Sequence, residues 1–120
     1  EVKQPRTMAF RPLRECLAKP GDFMIYDFDE AKMAMPGNLH LGFAVLDEFH
    51  KNHGDLPEPF NEAHEKEFLD LATQQAEAET LDDGVKKVLL QLCRTCRGRL
   101  NPVCAAFGGF VGQEVLKACS

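Results

Sequence analysis

The chain has 120 residues, of which 44% are hydrophobic and 28% charged, and its formal net charge is −5. That length leads to the expectation of one small domain, and no uncharged stretch reaches the ~20 apolar residues that span a bilayer. Five cysteines, with no initiator methionine or secretory leader at the start, fit reduced thiols in the cytoplasm or nucleus. The charge is unevenly placed. Residues 1–19 hold five bases and two acids, residues 22–83 sixteen acids and three bases, and residues 84–99 five bases and no acid. The acidic middle speaks against nucleic acid as a partner of the whole chain. The basic flanks are either solvated helix faces or edges that meet acidic neighbours.

In chain order, the pattern is almost entirely helical. Residues 1–9 read as an extended arm held out of helix by Pro5. Residues 11–18 make a short helix that Pro20-Gly21 ends. Phe23 to Phe28 has the aromatic and β-branched character of a short strand or extended segment. A helix is expected over 38–52, with Asn38 as its cap and Gly54 as its stop. Its buried stripe would be Leu39, Phe43, Leu46 and Phe49 or His50. After Pro57 and Pro59, Asn61 caps a third helix over about 62–79, with Phe68, Leu71, Ala72 and Gln75 along its inner side. A fourth starts at a cap on Asp82 or Asp83 and runs through Arg97, with Val85, Val88, Leu89 and Leu92 inward and Gly98 ending it.

The last helix is the most unusual. Asn101 is a favourable N-cap, and Pro102 suits the first helical position, where its missing N–H costs nothing. No charge occurs between Arg99 and Glu114, and Val103, Phe107, Phe110, Val111 and Val115 are apolar on more than one side. A helix apolar nearly all round belongs inside something larger. Ala105, Gly108, Gly109 and Gly112 leave a strip without bulky side chains. Each mid-helix glycine costs roughly 1 kcal/mol against alanine, so the strip implies close approach of another backbone. Such a helix at the end of a 120-residue chain reads as part of a piece of a bigger protein.

Three motifs in order point the same way. Gly108-Gly109-x-x-x-Gln113-Glu114-Val115-Leu116-Lys117-Ala118 resembles the end of the inactive adenylation half of eukaryotic ubiquitin-activating enzymes. Glu1-Val2-Lys3-x-Pro5-Arg6 followed by Phe10-x-x-Leu13 resembles the approach to that family's four-helix-bundle insert. Leu39-His40-Leu41-Gly42-Phe43-x-x-Leu46-x-x-Phe49, with Gly54-x-Leu56-Pro57, resembles the insert's second helix and turn. The resemblance implies an all-α fold of about five helices with an extended N-terminal arm. Residues 1–9 would lead in, 10–97 form the four-helix-bundle insert, and 98–120 hold the first helix of the resumed adenylation domain.

The candidate sites are weak as chemistry. Cys93-Arg-Thr-Cys96 is a lone CxxC, whereas a structural zinc site wants four ligands, usually in two knuckles. On a helix two such sulfurs share a face and pack as small hydrophobes. Asp47, His50 and His53 are spaced three apart, with His40 and His64 as further ligands for a metal, but three-residue steps rotate around the helix. Pro102-Val103-Cys104 resembles the proline-x-cysteine that precedes threonine at the family's thioester cysteine, yet Ala105 stands in the threonine position. Cys104 is expected inside the apolar helix, without the electropositive, partly exposed setting of a reactive thiolate. Gly108, Gly109 and Gly112 sit within a helix rather than between a strand and a helix start, so they are no phosphate loop. No catalytic, cofactor-binding or metal residue is therefore assigned.

By resemblance, the parent enzyme adenylates the ubiquitin C-terminus with ATP and magnesium, captures it as a thioester and passes it to conjugating enzymes. This chain would be a non-catalytic structural segment of it, in the cytoplasm and nucleus, with the parent's other domains as its partners. Taken alone, it would self-associate through residues 103–116. The alternatives are an activating enzyme for another ubiquitin-like modifier, and an independent helical interaction or metal-binding module.

Overall fold

The computed structural model describes residues 11–21 and 29–119. The extended arm expected at 1–9 and the strand-like segment expected at 23–28 lie outside the described residues. Within them the chain forms five helices and no strand: α1 Leu13–Ala18, α2 Glu30–His53, α3 Glu62–Gln75, α4 Asp83–Thr95 and α5 Asn101–Cys119.

Helices α2, α3 and α4 pack on one another around a single core. Val45, Leu46 and Phe49 come from α2, Phe68 and Ala72 from α3, Leu89 and Cys93 from α4, and Leu81 from the loop before α4. Phe49 and Phe68 are fully enclosed. Each such side chain stabilises the fold by about 1.5–3 kcal/mol relative to exposure. Gly42 faces the side chains of Leu89 and Leu92 on α4. A Cβ built there stands 2.6 Å from Leu92 Cδ2 and 3.2 Å from Leu89 Cδ2, so a larger residue would force those leucine side chains to shift.

The helix ends follow local chemistry. Asn61 Oδ1 accepts the N–H groups of Ala63 and His64, and Asp82 Oδ2 accepts that of Gly84. Gly54, at φ 72°, closes α2 by donating its N–H to the His50 carbonyl.

Five expectations are corrected. Helix α2 begins at Glu30 rather than at 38, because Asp29 caps it by accepting the Ala31 N–H, and Pro36 sits inside the helix. Proline there removes one backbone hydrogen bond, and residues 30–35 are exposed, outside the core. Phe43 is 59% exposed, so the inner stripe of α2 is Gly42, Val45, Leu46 and Phe49. Helix α3 stops at Gln75 instead of 79. Glu77 takes a left-handed conformation, φ 51°, while its N–H reaches Gln74 O and the Ala78 N–H reaches Thr73 O. That is a Schellman ending built without glycine, and it leaves Gln75 exposed. Helix α4 stops at Thr95, with Gly98 N–H donating to the Thr95 carbonyl. In α5, Asn101 is already helical, and the Leu100 carbonyl accepts the Cys104 N–H.

Every residue from 101 to 119 is exposed. Neither the glycine strip nor the phenylalanine side of α5 is covered by the other described helices. The Cα radius of gyration is 16.9 Å with extents of 57 × 36 × 29 Å, against about 13.6 Å for a compact chain of this length.

Candidate functional site: the bundle ties and the bare helix

Two arginines of the α4 end tie the bundle together. Arg94 donates from Nε and Nη2 to the two carboxylate oxygens of Glu65 on α3, at 2.6 and 2.8 Å. This fork-to-fork pair holds the Glu65 carboxyl below its usual range. Arg97 reaches the α2–α3 loop. Its Nε donates to Pro57 O at 2.9 Å and to Leu56 O at 3.2 Å, while Nη2 donates to Asp55 at 3.0 Å and to the Leu56 carbonyl. The Asp55 carboxyl is lowered first by the Leu56 N–H that it accepts and then by Arg97. Arg97 therefore fixes the loop directly before the chain leaves the bundle for α5. Sequence reading marked it only as a helix end. A side chain that folds back onto carbonyls forty positions away leaves no periodic signal.

The histidines serve packing. His53 stacks on Phe49, with ring centroids 4.3 Å apart, and donates from Nε2 to Glu67 at 2.7 Å. His64 meets Phe49 edge-on at 5.3 Å, and its Nδ1 accepts the Glu58 N–H. His40 Nε2 donates to the Leu17 carbonyl at 2.9 Å, tying α1 to α2. Asp47 and His50 are exposed beside an open groove of about 1100 Å³ between α1 and the bundle. Asp47, His50 and His53 do not converge. Among the described residues, no three His, Cys, Asp or Glu side chains stand in a ligating arrangement.

Burial pushes the Cys93 thiol up to about 11, with Cys96 beside it adding to the shift. Burial also raises Cys96, whose Sγ–H points to the carbonyls of Cys93 and Pro57 at 3.2 and 3.7 Å. Burial thus disfavours the thiolate at both cysteines, which weakens them as nucleophiles. Cys104 is exposed on α5, which corrects its expected placement inside packed helix. The nearest bases in sequence are Arg97 and Arg99, and none follows before Lys117.

Gly108, Gly109 and Gly112 lie mid-helix, with open space where their Cβ atoms would be. Their N–H groups belong to the helical ladder and cannot cradle phosphate. These three glycines therefore do not form a phosphate loop. The bare surface of α5 carries Val103, Phe107, Phe110, Val111, Val115 and Leu116, all at least 48% exposed. Phe107 and Phe110 meet edge to face at 6.2 Å.

Known proteins place this architecture. The family model described as the ubiquitin-activating enzyme E1 four-helix bundle matches residues 4–76. Over its whole length the chain is similar to ubiquitin-activating enzyme E1 2 of Arabidopsis thaliana, at 42% identity, and to ubiquitin-activating enzyme E1 1 of Candida albicans, at 41%. It is 38% identical to ubiquitin-like modifier-activating enzyme 1 of Homo sapiens. The chain spans only 11–12% of the length of these relatives. A three-helix core with caps at the expected turns, joined to an apolar helix that the core does not bury, fits a small part of such proteins, and the chain belongs to the ubiquitin-activating enzyme E1 four-helix bundle family.

Proposed function

We propose that this chain is a non-catalytic structural segment of an enzyme that activates ubiquitin. The longer protein adenylates the ubiquitin C-terminus with ATP and magnesium, forms a ubiquitin thioester and transfers it to conjugating enzymes, in the cytoplasm and nucleus. Within it, residues 10–97 form the bundle insert and residues 98–120 begin the resumed adenylation domain. The observation that carries the architectural role is the complete exposure of α5. A contiguous apolar surface of several hundred Å² rarely stays bare in water, so the rest of the longer protein is its partner. Deprived of that partner, the chain is expected to pair with itself through residues 103–116.

The test is an ATP-dependent ubiquitin thioester assay, read on non-reducing gels. The isolated chain should form no thiol-sensitive ubiquitin adduct. The longer protein carrying Cys104→Ser should charge ubiquitin as the unaltered enzyme does. An adduct on the isolated chain, or loss of charging in Cys104→Ser with the fold intact, would overturn the proposal. Preferential charging of another ubiquitin-like modifier would overturn the assignment of ubiquitin as substrate.

A further inference from the structure

Apart from α5, one surface combines exposed aromatic area, basic charge and backbone strain. Phe60 is 75% exposed in the loop before α3, and its backbone is left-handed, φ 60°. That conformation disfavours bulky residues and is retained at a cost of about 1–3 kcal/mol. Burial does not account for it here, since the ring faces outward. The Arg94 guanidinium lies 5.5 Å from the ring centroid and is itself held by Glu65, so aromatic and guanidinium planes are fixed together. Lys87, Leu90, Gln91 and Arg94 are spaced three, four and seven apart on α4 and share one outer stripe. With Phe60 they line a cleft of about 350 Å³.

We propose that this cleft docks an acidic peptide segment of a partner protein, with one apolar side chain on Phe60 and Leu90 and a carboxylate on Lys87. Charge complementarity selects the occupant. Residues 84–99 hold five bases and no acid in a chain of net charge −5. Lys87 has no carboxylate partner among the described residues, whereas Lys86 and Arg94 are paired with Asp83 and Glu65. An exposed aromatic beside an ordered arginine is the composition of an interface anchor. A long-range field would not suffice, because the acidic helix α3 lies next to α4 and repels acidic ligands elsewhere on the bundle. A carboxylate is favoured only locally, and the apolar contact supplies the remainder.

The probe is a short fluorescein-labelled peptide of repeating Glu-Glu-Leu, titrated with the 120-residue chain and read by anisotropy. Phe60→Ala and Lys87→Glu should each weaken binding about tenfold, equivalent to about 1.4 kcal/mol. Both positions are exposed, and unchanged circular dichroism would exclude unfolding as the cause. Amide shifts in ¹⁵N spectra should centre on Leu90, Gln91 and Arg94. The proposal is overturned if the chain does not bind the probe at millimolar concentration, or if neither variant alters binding. Equal binding of a Glu-Glu-Gly peptide, tighter binding of a single-stranded oligonucleotide, or shifts centred on the α1–α2 groove would overturn it too.

Discussion

Gly42→Ala should destabilise the bundle although alanine is the better helix former. The added methyl carbon would stand 2.6 Å from Leu92 Cδ2 and 3.2 Å from Leu89 Cδ2. Leu92 is half-buried and can rotate its end away, but Leu89 is fully enclosed and has little room to yield. Overpacking of this kind costs about 1–3 kcal/mol, against a gain of roughly 1 kcal/mol in helix propensity. The net is a loss of up to about 2 kcal/mol. Gly37 provides the control in the same helix, since nothing lies within 4 Å of its Cβ position. Gly37→Ala should therefore gain about 0.5–1 kcal/mol. Thermal denaturation of both variants by circular dichroism measures the contrast, at about 4–8 °C per kcal/mol for a core of this size. If Gly42→Ala melts as high as Gly37→Ala, α2 and α4 do not approach at Gly42 and the packing described is wrong.

Leu46→Ala should cost about 2–5 kcal/mol through the cavity it leaves, while exposed Lys51→Ala should leave urea denaturation unchanged; equal small effects would put the phase of α2 in error. Glu77→Gly should raise the melting temperature modestly, because glycine accepts the left-handed conformation without the roughly 1–2 kcal/mol that other residues incur, a gain partly offset by glycine's freer unfolded chain. Glu65 has a folded-state pKa below its ordinary 4.5, chiefly through the hydrogen bonds from Arg94. It therefore contributes stability above that pH and loses it as pH falls from 4.5 through the lowered value. Melting curves of Glu65→Gln should accordingly be flatter with pH across that acid range than those of the unaltered chain.

Much of the fold was legible where one residue decides one event. Asn61 and Asp82 are caps whose side chains have a single local task, and Gly54 supplies the left-handed stop that a helix end needs. Leu46 and Phe49 were found because they belong to either of two neighbouring stripes on α2. Phe43 was misplaced for the same reason: the periodicity admits both stripes, and bulk favoured phenylalanine over Gly42. The actual contact is made where the side chain is missing, so that Leu89 and Leu92 fit against α2. The start of α2 was hidden by Pro36, normally a stop, and the end of α3 by a left-handed glutamate. The Arg97 latch and the Phe60–Arg94 surface join distant segments, so spacing along the chain carries no trace of them. The apolarity of α5 was plain in the sequence, but its independence from the bundle was not, because composition says that a surface wants cover without saying what covers it.

Hydrogen–deuterium exchange along α5, compared between this chain at low concentration and the longer protein, bears most directly on the architectural role. Helices α2, α3 and α4 should be protected alike in both, since their core is complete within the chain. The α5 amides should exchange rapidly in the isolated chain and slow by about 100-fold or more in the longer protein, a gain of about 2.8 kcal/mol. Exchange of α5 that is equally fast in both, or already as slow as α2 in the isolated chain, would contradict the reading of α5 as a helix whose partner lies elsewhere in the protein.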